Sequence, residues 1–209
     1  MSDVFYLSYT VMWLLVLVQG VLLLLVYRHF GLAALGTFEG VQRDGLSIGQ
    51  QVPPISATGE HGQPVSWQPN GQQAHLLMFV SPDCEPCANI APYLNALGTA
   101  GSSRSALSVA GIVAGGEHEL ARFVAKTSPS YDCFADVGLD ATNAYRVRVT
   151  PCGFVIGADG RVLAKGLCSD HKKLEALVGA AGIELGGDVL APVPIVVKQP
   201  DGRLVERQR

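Results

Sequence analysis

The sequence lacks a cluster of basic residues, since Lys and Arg are scattered along 209 residues whose formal net charge is −3. A protein that binds nucleic acid presents a basic patch or stripe to the phosphates. The charge distribution therefore excludes nucleic acid as a partner. No internal repeat is visible either. The roughly 160 to 170 residues outside one N-terminal apolar segment are enough for one globular domain but not for a second catalytic one.

The spacing of a zinc site is missing as well. The chain has five cysteines, but a single Cys-x-x-Cys pair and no His-x₃₋₅-His pair. A tetrahedral zinc site needs four ligands, which usually come from two such pairs. We therefore expect no metal and no bound cofactor.

The one long hydrophobic run lies near the N-terminus, from Val11 to Tyr27, and Val4–Leu7 extend it outward. About 20 apolar residues cross a hydrocarbon layer about 30 Å thick. A secretory signal peptide would have a basic segment before the run and a small-residue cleavage site soon after it, and neither is present. We therefore expect a transmembrane anchor that stays on the protein.

The flanking charges and the cysteines indicate opposite sides of the membrane. Arg28 and Arg43 follow the run and no Lys or Arg precedes it, which by the positive-inside rule keeps the following segment in the cytoplasm. Long domains cross largely regardless of such charges, and a cysteine-containing domain suits a compartment in which thiols are exchanged. We expect a single-pass protein of the inner (cytoplasmic) membrane, with its catalytic domain on the periplasmic side.

Composition divides the chain into four segments. Residues 1–29 are the anchor, and residues 30–48 form a glycine-rich tether. Residues 49–183 form the globular domain. Residues 184–209 form a C-terminal tail that is loose or carries a small hairpin around Gln199–Gly202.

The pattern of the globular segment predicts an α/β fold. Two continuous apolar strands, Leu76–Val80 and Leu107–Val113, flank a helical pattern and predict a β-α-β unit with parallel pairing. Turn signals and alternating side chains predict the remaining elements. These are a hairpin of residues 53–58 and 64–67, a helix at 117–126, a short strand or irregular segment at 131–137, a short helix at 141–145, a hairpin of 153–156 and 161–164, and a helix at 171–181.

The sequence Cys84-Glu85-Pro86-Cys87 opens the helix of the β-α-β unit. There the unpaired N–H groups of the helix favour a thiolate over a thiol. In thiol exchange a thiolate attacks a disulfide sulfur, a mixed disulfide forms, and a second thiol resolves it. We expect Cys84 to be the attacking catalytic thiol and Cys87 the resolving one. An inert disulfide and half of a zinc site are the alternatives.

Two neighbours tune this pair. Pro86 has the fixed φ that suits a first helical turn. The carboxylate of Glu85 disfavours a nearby thiolate by repulsion.

The other three cysteines leave alternatives open. Cys152 is a candidate third thiol for exchange with the pair, or else a small buried hydrophobe. Cys133 and Cys168 pair with each other or stay reduced, because connectivity does not follow from sequence.

The order of the elements, with Thr150-Pro151 directly before the second hairpin, resembles the thioredoxin family over residues 47–183. Gly49–Pro53 resembles the leader of the membrane-anchored TlpA and ResA branch. Ser81–Cys87 and Ala164–Leu167 are similar to segments of the MauD proteins, which assist the maturation of methylamine dehydrogenase.

The resemblance implies a thioredoxin fold, with a mixed central sheet flanked by helices and an N-terminal hairpin. It implies a redox-active Cys84–Cys87 disulfide in place of a cofactor. It also implies that Pro151 is a cis-proline and that the backbone of Thr150 binds the substrate as an added strand.

Some positions depart from related patterns. Met78 stands where thioredoxins have a buried acid, and Asp83 stands where they commonly have Trp. These departures favour a dedicated client over general protein-disulfide reduction. Only half of the peroxiredoxin signature is present, since Leu77 stands at its proline position and Ser81 at its Thr or Ser position.

We therefore expect a membrane-anchored thiol–disulfide oxidoreductase that acts on an exported client protein with cysteines and is itself served by an upstream thiol–disulfide partner. The resemblance implies that the client is the small subunit of methylamine dehydrogenase. One alternative is a reductant for apocytochrome c or other periplasmic thiol proteins. Another is a non-enzymatic assembly or metal-delivery factor. The sequence does not fix the direction of electron flow.

Overall fold

The computed structural model describes residues 2–34, 45–101, 107–183, 195–198 and 204–207. The chain divides into two compact units, Met1–Arg43 and Asp44–Arg209.

The described residues of the first unit form one helix, α1 (Ser2–Ala34). Its apolar stretch Phe5–Leu25 has 21 residues, and at about 1.5 Å per residue such a stretch matches the thickness of a hydrocarbon layer. The side chains of Phe5–Leu25 are exposed on every side, as expected for a helix without an amphipathic face. The helix is long and apolar enough to cross a membrane, and a signal segment would have the same properties.

The second unit consists of a central sheet, four helices and a separate two-stranded hairpin in the part of the chain that the structure describes. The bounds are β1 Ile55–Thr58, β2 Pro64–Trp67, β3 Ala74–Val80, α2 Glu85–Gly101, β4 Leu107–Ala114, α3 Glu117–Thr127, β5 Asp132–Asp136, α4 Asp140–Ala144, β6 Cys152–Ile156, β7 Val162–Leu167, α5 His171–Ala180, β8 Ile195–Lys198 and β9 Leu204–Arg207.

The central sheet has the strand order β2-β1-β5-β4-β3-β6-β7 among the described residues. Strands β3, β4 and β5 run parallel, whereas β6 is antiparallel to β3 and β7 to β6. The N-terminal hairpin joins the other side, where β1 pairs with β5 at Thr58 and Ala135. The predicted mixed sheet, its β-α-β unit and both of its hairpins are confirmed.

Side chains of β3 alternate between two buried cores, as the pleat of a strand requires. Leu76, Met78 and Val80 pack against helices α2, α3 and α5 on one face. Leu77 and Phe79 pack on the other face against the N-terminal segment and the region of α4. Because both faces of β3 are covered, its residues Leu76–Val80 are all apolar and buried.

Residues 45–48, which the sequence analysis assigned to the tether, contact the globular domain. Leu46 is buried, the Gly45 N–H donates to the Arg146 carbonyl, and the Gly49 N–H donates to the Val162 carbonyl at 2.7 Å. The burial of one apolar side chain, Leu46, explains why this segment is part of the domain. The spacing of the glycines alone does not indicate that Leu46 packs into a core.

The structure settles three details of the predicted elements. The segment predicted as strand or irregular is a regular strand, β5, which pairs with β4. The segment around 141–145 forms one short helix, α4. In the tail, Ile195–Lys198 pairs with Leu204–Arg207, so the small hairpin is present.

Candidate active site

The Cys-x-x-Cys segment lies where strand β3 ends and helix α2 begins. Cys84 ends the connecting loop, α2 starts at Glu85, and a disulfide joins Cys84 to Cys87 with their Cα atoms 5.2 Å apart. The loop joins β3, whose side chains lie in the core, to α2, whose buried face packs in the same core. The site is therefore mounted on two rigid elements.

The two sulfur-bearing residues differ in exposure. Cys84 is half-buried, whereas Cys87 has no exposed surface. The backbone N–H of Cys87 donates to the Cys84 sulfur at 3.2 Å, in the first turn of the helix. A hydrogen bond of this kind favours the ionised form of a sulfur, as does the positive end of the helix dipole. The arrangement allows Cys84 to contact another protein while Cys87 stays buried beneath it.

Thr150, the residue before Pro151, contacts this pair. The Thr150–Pro151 peptide bond is cis, as expected, and the Thr150 carbonyl oxygen lies 3.5 Å from the Cys84 sulfur. Register places Cys152 opposite Phe79, so the start of β6 lies beside the end of β3. The Cys168 N–H donates to the Pro151 carbonyl at 3.0 Å and holds the loop from the side of β7.

The proposed tuning residues are both exposed: Glu85 and Pro86 occupy the first turn of α2. Met78 has no exposed surface and lies in the core beneath the site. A thioether has no proton to transfer, so the position of the buried acid in thioredoxins carries no proton relay here.

Contacts that the sequence analysis missed hold the loop before Cys84. Arg122 of α3 forms an ion pair with Asp83, and the Lys126 ammonium donates to the Pro82 carbonyl at 3.1 Å. Arg122 is 39 positions from Asp83, so no local pattern links the two. The signal in the sequence is limited to two cations spaced four apart, which share one side of a helix.

The three remaining cysteines are not disulfide-bonded. Cys152 packs with the core that contains Phe79 and Phe154, whereas Cys84 and Cys87 pack with the opposite core. The candidate third thiol therefore packs against the other face of the sheet from the pair. Strand alternation explains this, since the residue after Pro151 begins β6 facing away from α2.

Cys168 has no exposed surface and shares the core of Cys84 and Cys87. Its sulfur approaches Gly153, where an added Cβ would lie 3.1 Å from it and 2.9 Å from the Met78 sulfur. Cys168 is thus nearer to the site than the sequence suggested.

The pairing of Cys133 with Cys168, one of the two alternatives, is wrong. Cys133 lies on β5 and Cys168 follows β7, with β4, β3 and β6 between those strands. Four strand spacings amount to about 19 Å, whereas the Cα atoms of a disulfide lie within about 7 Å. Both residues stay reduced.

Within the described residues, no group of three or more His, Cys, Asp and Glu side chains is placed to hold a metal ion. The site contains a redox disulfide, and thioredoxin-like proteins use such a disulfide in place of a cofactor.

The fold is that of thioredoxin, and together with the Cys84–Cys87 disulfide at the start of α2 it defines the chain as a thiol–disulfide oxidoreductase. A model of the AhpC/TSA family matches residues 48–165, which is more than half of the sequence. The chain belongs to this family.

Known proteins are similar to the chain in sequence and in structure. The chain is 29% identical over 184 residues to the methylamine utilization protein MauD of Methylobacillus flagellatus, a match that covers 84% of this chain and 86% of that protein. It is 28% identical over 181 residues to MauD of Paracoccus denitrificans, covering 83% and 86%. Among solved structures, a candidate DsbE-type thiol:disulfide interchange protein from Chlorobium tepidum is similar with a TM-score of 0.58 and 21% identity. That match covers 65% of this chain and 98% of the other, and it shows a shared fold.

Proposed function

We propose that this protein is a membrane-anchored oxidoreductase that exchanges the Cys84–Cys87 disulfide with cysteines of an exported client protein. One observation carries the proposal: a half-buried sulfur and a fully buried sulfur share the first turn of a helix beside a cis-proline. A structural bridge needs no such difference in exposure. An exchange reaction does, because one sulfur must meet the client and the other must not.

In the oxidising direction a client thiolate attacks the Cys84 sulfur. The Cys84–Cys87 bond breaks, a mixed disulfide joins the client to Cys84, and Cys87 leaves as a thiolate that takes up a proton. A second client thiolate then attacks the client sulfur of the mixed disulfide and displaces Cys84. The client loses two electrons and two protons, and the pair gains them. The reducing direction consists of the same steps in reverse.

The surrounding groups support these steps. The Cys87 N–H, 3.2 Å from the Cys84 sulfur, stabilises negative charge on Cys84 when it leaves. The half-buried Thr150 exposes backbone beside the sulfur, and we assign it the pairing with an extended client segment. Pro151 shapes that surface, while Glu85 and Pro86 set the preference for thiolate.

We infer that the client belongs to methylamine utilization. The similarity to MauD over more than four fifths of both chains supports this inference. Within that process the small subunit of methylamine dehydrogenase is the client we propose, because it is rich in disulfides. An upstream thiol–disulfide partner in the same compartment then returns the Cys84–Cys87 pair to its starting redox state. Helix α1 anchors the protein to the inner membrane, and residues 49–183 face the periplasm.

The test is to trap the mixed disulfide with the full-length chain. In the Cys87→Ser variant the resolving thiol is absent, so a client joined to Cys84 accumulates and appears as a higher band on non-reducing gels that reductant removes. Cells grown on methylamine supply the client, and mass spectrometry of the band identifies it. We expect peptides of the small subunit of methylamine dehydrogenase.

The Cys84→Ser/Cys87→Ser variant is the matched control and must form no adduct. Absence of any adduct with Cys87→Ser, at normal protein levels, would refute the proposed exchange. An adduct with apocytochrome c instead would retain the exchange and replace the client. Metal bound to the wild type and lost from Cys84→Ser, with no adduct, would indicate a metal-delivery factor.

A further inference from the structure

Two cations of helix α3 hold the loop that leads into Cys84. Arg122 reaches Asp83 through both terminal nitrogens, with Nη1 3.4 Å from Oδ2 and Nη2 paired to Oδ1. One turn further along, the Lys126 ammonium donates to the Pro82 carbonyl. The two residues directly before Cys84 are therefore both tied to α3.

The carboxylate of Asp83 belongs to the residue directly before Cys84, and a carboxylate near a thiolate disfavours the charged sulfur. Its partner Arg122 is always protonated, since a guanidinium does not titrate in proteins. A paired carboxylate and guanidinium together present almost no net charge to their surroundings.

We infer that the Arg122–Asp83 ion pair is a positioning and tuning device for the attacking sulfur: Arg122 neutralises the carboxylate beside Cys84 and thereby favours the thiolate. The inference rests on the proposed function, because it assigns Arg122 a role in preparing Cys84 for exchange. Arg122 acts only through Asp83 and touches neither sulfur in this account.

Other charged residues lie on the elements next to Cys84 and are unchanged by a substitution at Arg122. Glu85 follows Cys84 on α2, Lys126 and Glu119, which also acts on Arg122, lie on α3, and Arg146 and Arg148 precede Thr150 on the loop before β6. The pair itself is exposed: 46% of the Arg122 side chain and 72% of the Asp83 side chain are accessible. Solvent screening therefore limits the effect to a modest size.

The test measures how fast Cys84 is alkylated in the reduced, full-length protein in detergent, as a function of pH. Because the thiolate is the reactive form, the rate reports the pKa of Cys84. We expect Arg122→Gln to raise that pKa by roughly half a unit and to slow alkylation below it by about 3-fold. Arg122→Lys keeps the charge and should restore most of the rate.

A double-mutant cycle shows whether Arg122 acts through the carboxylate. In an Asp83→Asn background no carboxylate is left to neutralise, so adding Arg122→Gln should change the rate by less than about 1.5-fold. The matched control is Arg161→Gln, which removes an arginine paired with Asp159 in the β6–β7 turn, at the other end of the sheet. This control should alkylate like the wild type.

Equal slowing by Arg122→Gln in both backgrounds would overturn the inference, as would slowing by Arg161→Gln or an unchanged rate in Arg122→Gln. These outcomes are separate from the fate of the proposed function. The alkylation rate is read on the isolated protein, whereas the proposed exchange fails only if Cys87→Ser traps no client.

Discussion

Burial raises the pKa of the Cys133 thiol from an ordinary value near 9.0 to about 12, with smaller contributions from the carboxylates of Asp132 and Glu60. Burial also raises the pKa of Cys168, which has no exposed surface. Both thiols therefore stay protonated at neutral pH, and a protonated thiol is a poor nucleophile. Cys84 differs from both because it lies at a helix N-terminus, and from Cys168 also because it is only half-buried.

This difference predicts the order of alkylation in the reduced native protein. At pH 7.5 an alkylating reagent should label Cys84 at least about 10-fold faster than Cys133, because far less of the Cys133 thiol is ionised. Cys168 should remain unlabelled until the protein unfolds. Peptide mass spectrometry after timed quenching measures all three. Labelling of Cys168 at the rate of Cys84 would contradict the assignment of the attacking thiol.

The raised pKa of Cys133 also predicts a loss of stability in alkali. The unfolded chain releases the thiol proton near pH 9 and the folded chain only near pH 12, so the folded state holds more protons between these values. The contribution of Cys133 to the free energy of unfolding is intact below pH 9. It is lost as the pH rises toward 12, by up to about 1.4 kcal/mol per pH unit.

Urea unfolding at pH 8, 9 and 10 measures this dependence. Cys133→Ala and Cys133→Ser should both flatten it, because neither replacement titrates. Tyr131 and Tyr145 also have pKa values raised by burial, so both variants should still lose some stability at alkaline pH. An unchanged slope in both variants would show that Cys133 ionises equally in the folded and unfolded chains.

At the scale of elements, Asn95 joins helix α2 to the connection between α3 and β5. Its amide nitrogen donates to the carbonyls of Thr127 at 3.3 Å and Ser128 at 3.1 Å, and its oxygen accepts from the Ser130 N–H at 2.9 Å. Ser128 has a φ of 43°, in the left-handed region, and ends α3. The side chain thus satisfies backbone groups of a helix end that has no further turn to pair with.

Replacement of Asn95 by Ala should lower the free energy of unfolding by about 1 to 3 kcal/mol, because backbone groups at the helix end lose their partners. Asn89→Ala is the matched control, since Asn89 is an exposed residue of the same helix. Chemical denaturation at pH 7 compares the two. Equal losses in both variants would mean that helix propensity, and not the contacts of Asn95, determines the result.

The local patterns of the sequence were enough to predict most elements. Strand β3 contains the continuous apolar run Leu76–Val80, and the hairpin of β6 and β7 has an Asp159-Gly160 turn, where Gly160 adopts a φ of 78°. Patterns of this kind act over a few residues. The contact of Arg122 with Asp83 and the contact of Asn95 with Ser130 join separate helices and loops, and only the packed fold brings their partners together.

The same limit applies to the candidate site. The position of the cysteine pair at a helix start and of Pro151 before β6 followed from the motif and its resemblance to thioredoxins. The face of the sheet on which Cys152 lies depends on where β6 begins, and a shift of one residue would reverse it. Sequence spacing does not fix the residue at which β6 begins. The sequence therefore predicts neither the face of the sheet on which Cys152 lies nor the burial of Cys168 in the core of the cysteine pair.

At the scale of the whole molecule, helix α1 is long and apolar enough to cross a membrane. We expect the full-length chain to remain in the membrane fraction after carbonate extraction, because α1 is apolar along 21 residues. Protease added to spheroplasts should degrade the globular domain, while intact cells protect it. A shorter, soluble chain would show that α1 is a cleaved signal, and protection in spheroplasts would place the domain in the cytoplasm.

The redox equilibrium of the Cys84–Cys87 pair tests the central claim most directly. The full-length protein is equilibrated with glutathione buffers of graded potential, quenched with acid, alkylated and analysed by mass spectrometry. We predict reversible, two-electron exchange with a midpoint between about −270 and −120 mV, the range spanned by thioredoxin and DsbA. A pair that stays oxidised below about −300 mV would behave as a structural bridge and would contradict the account.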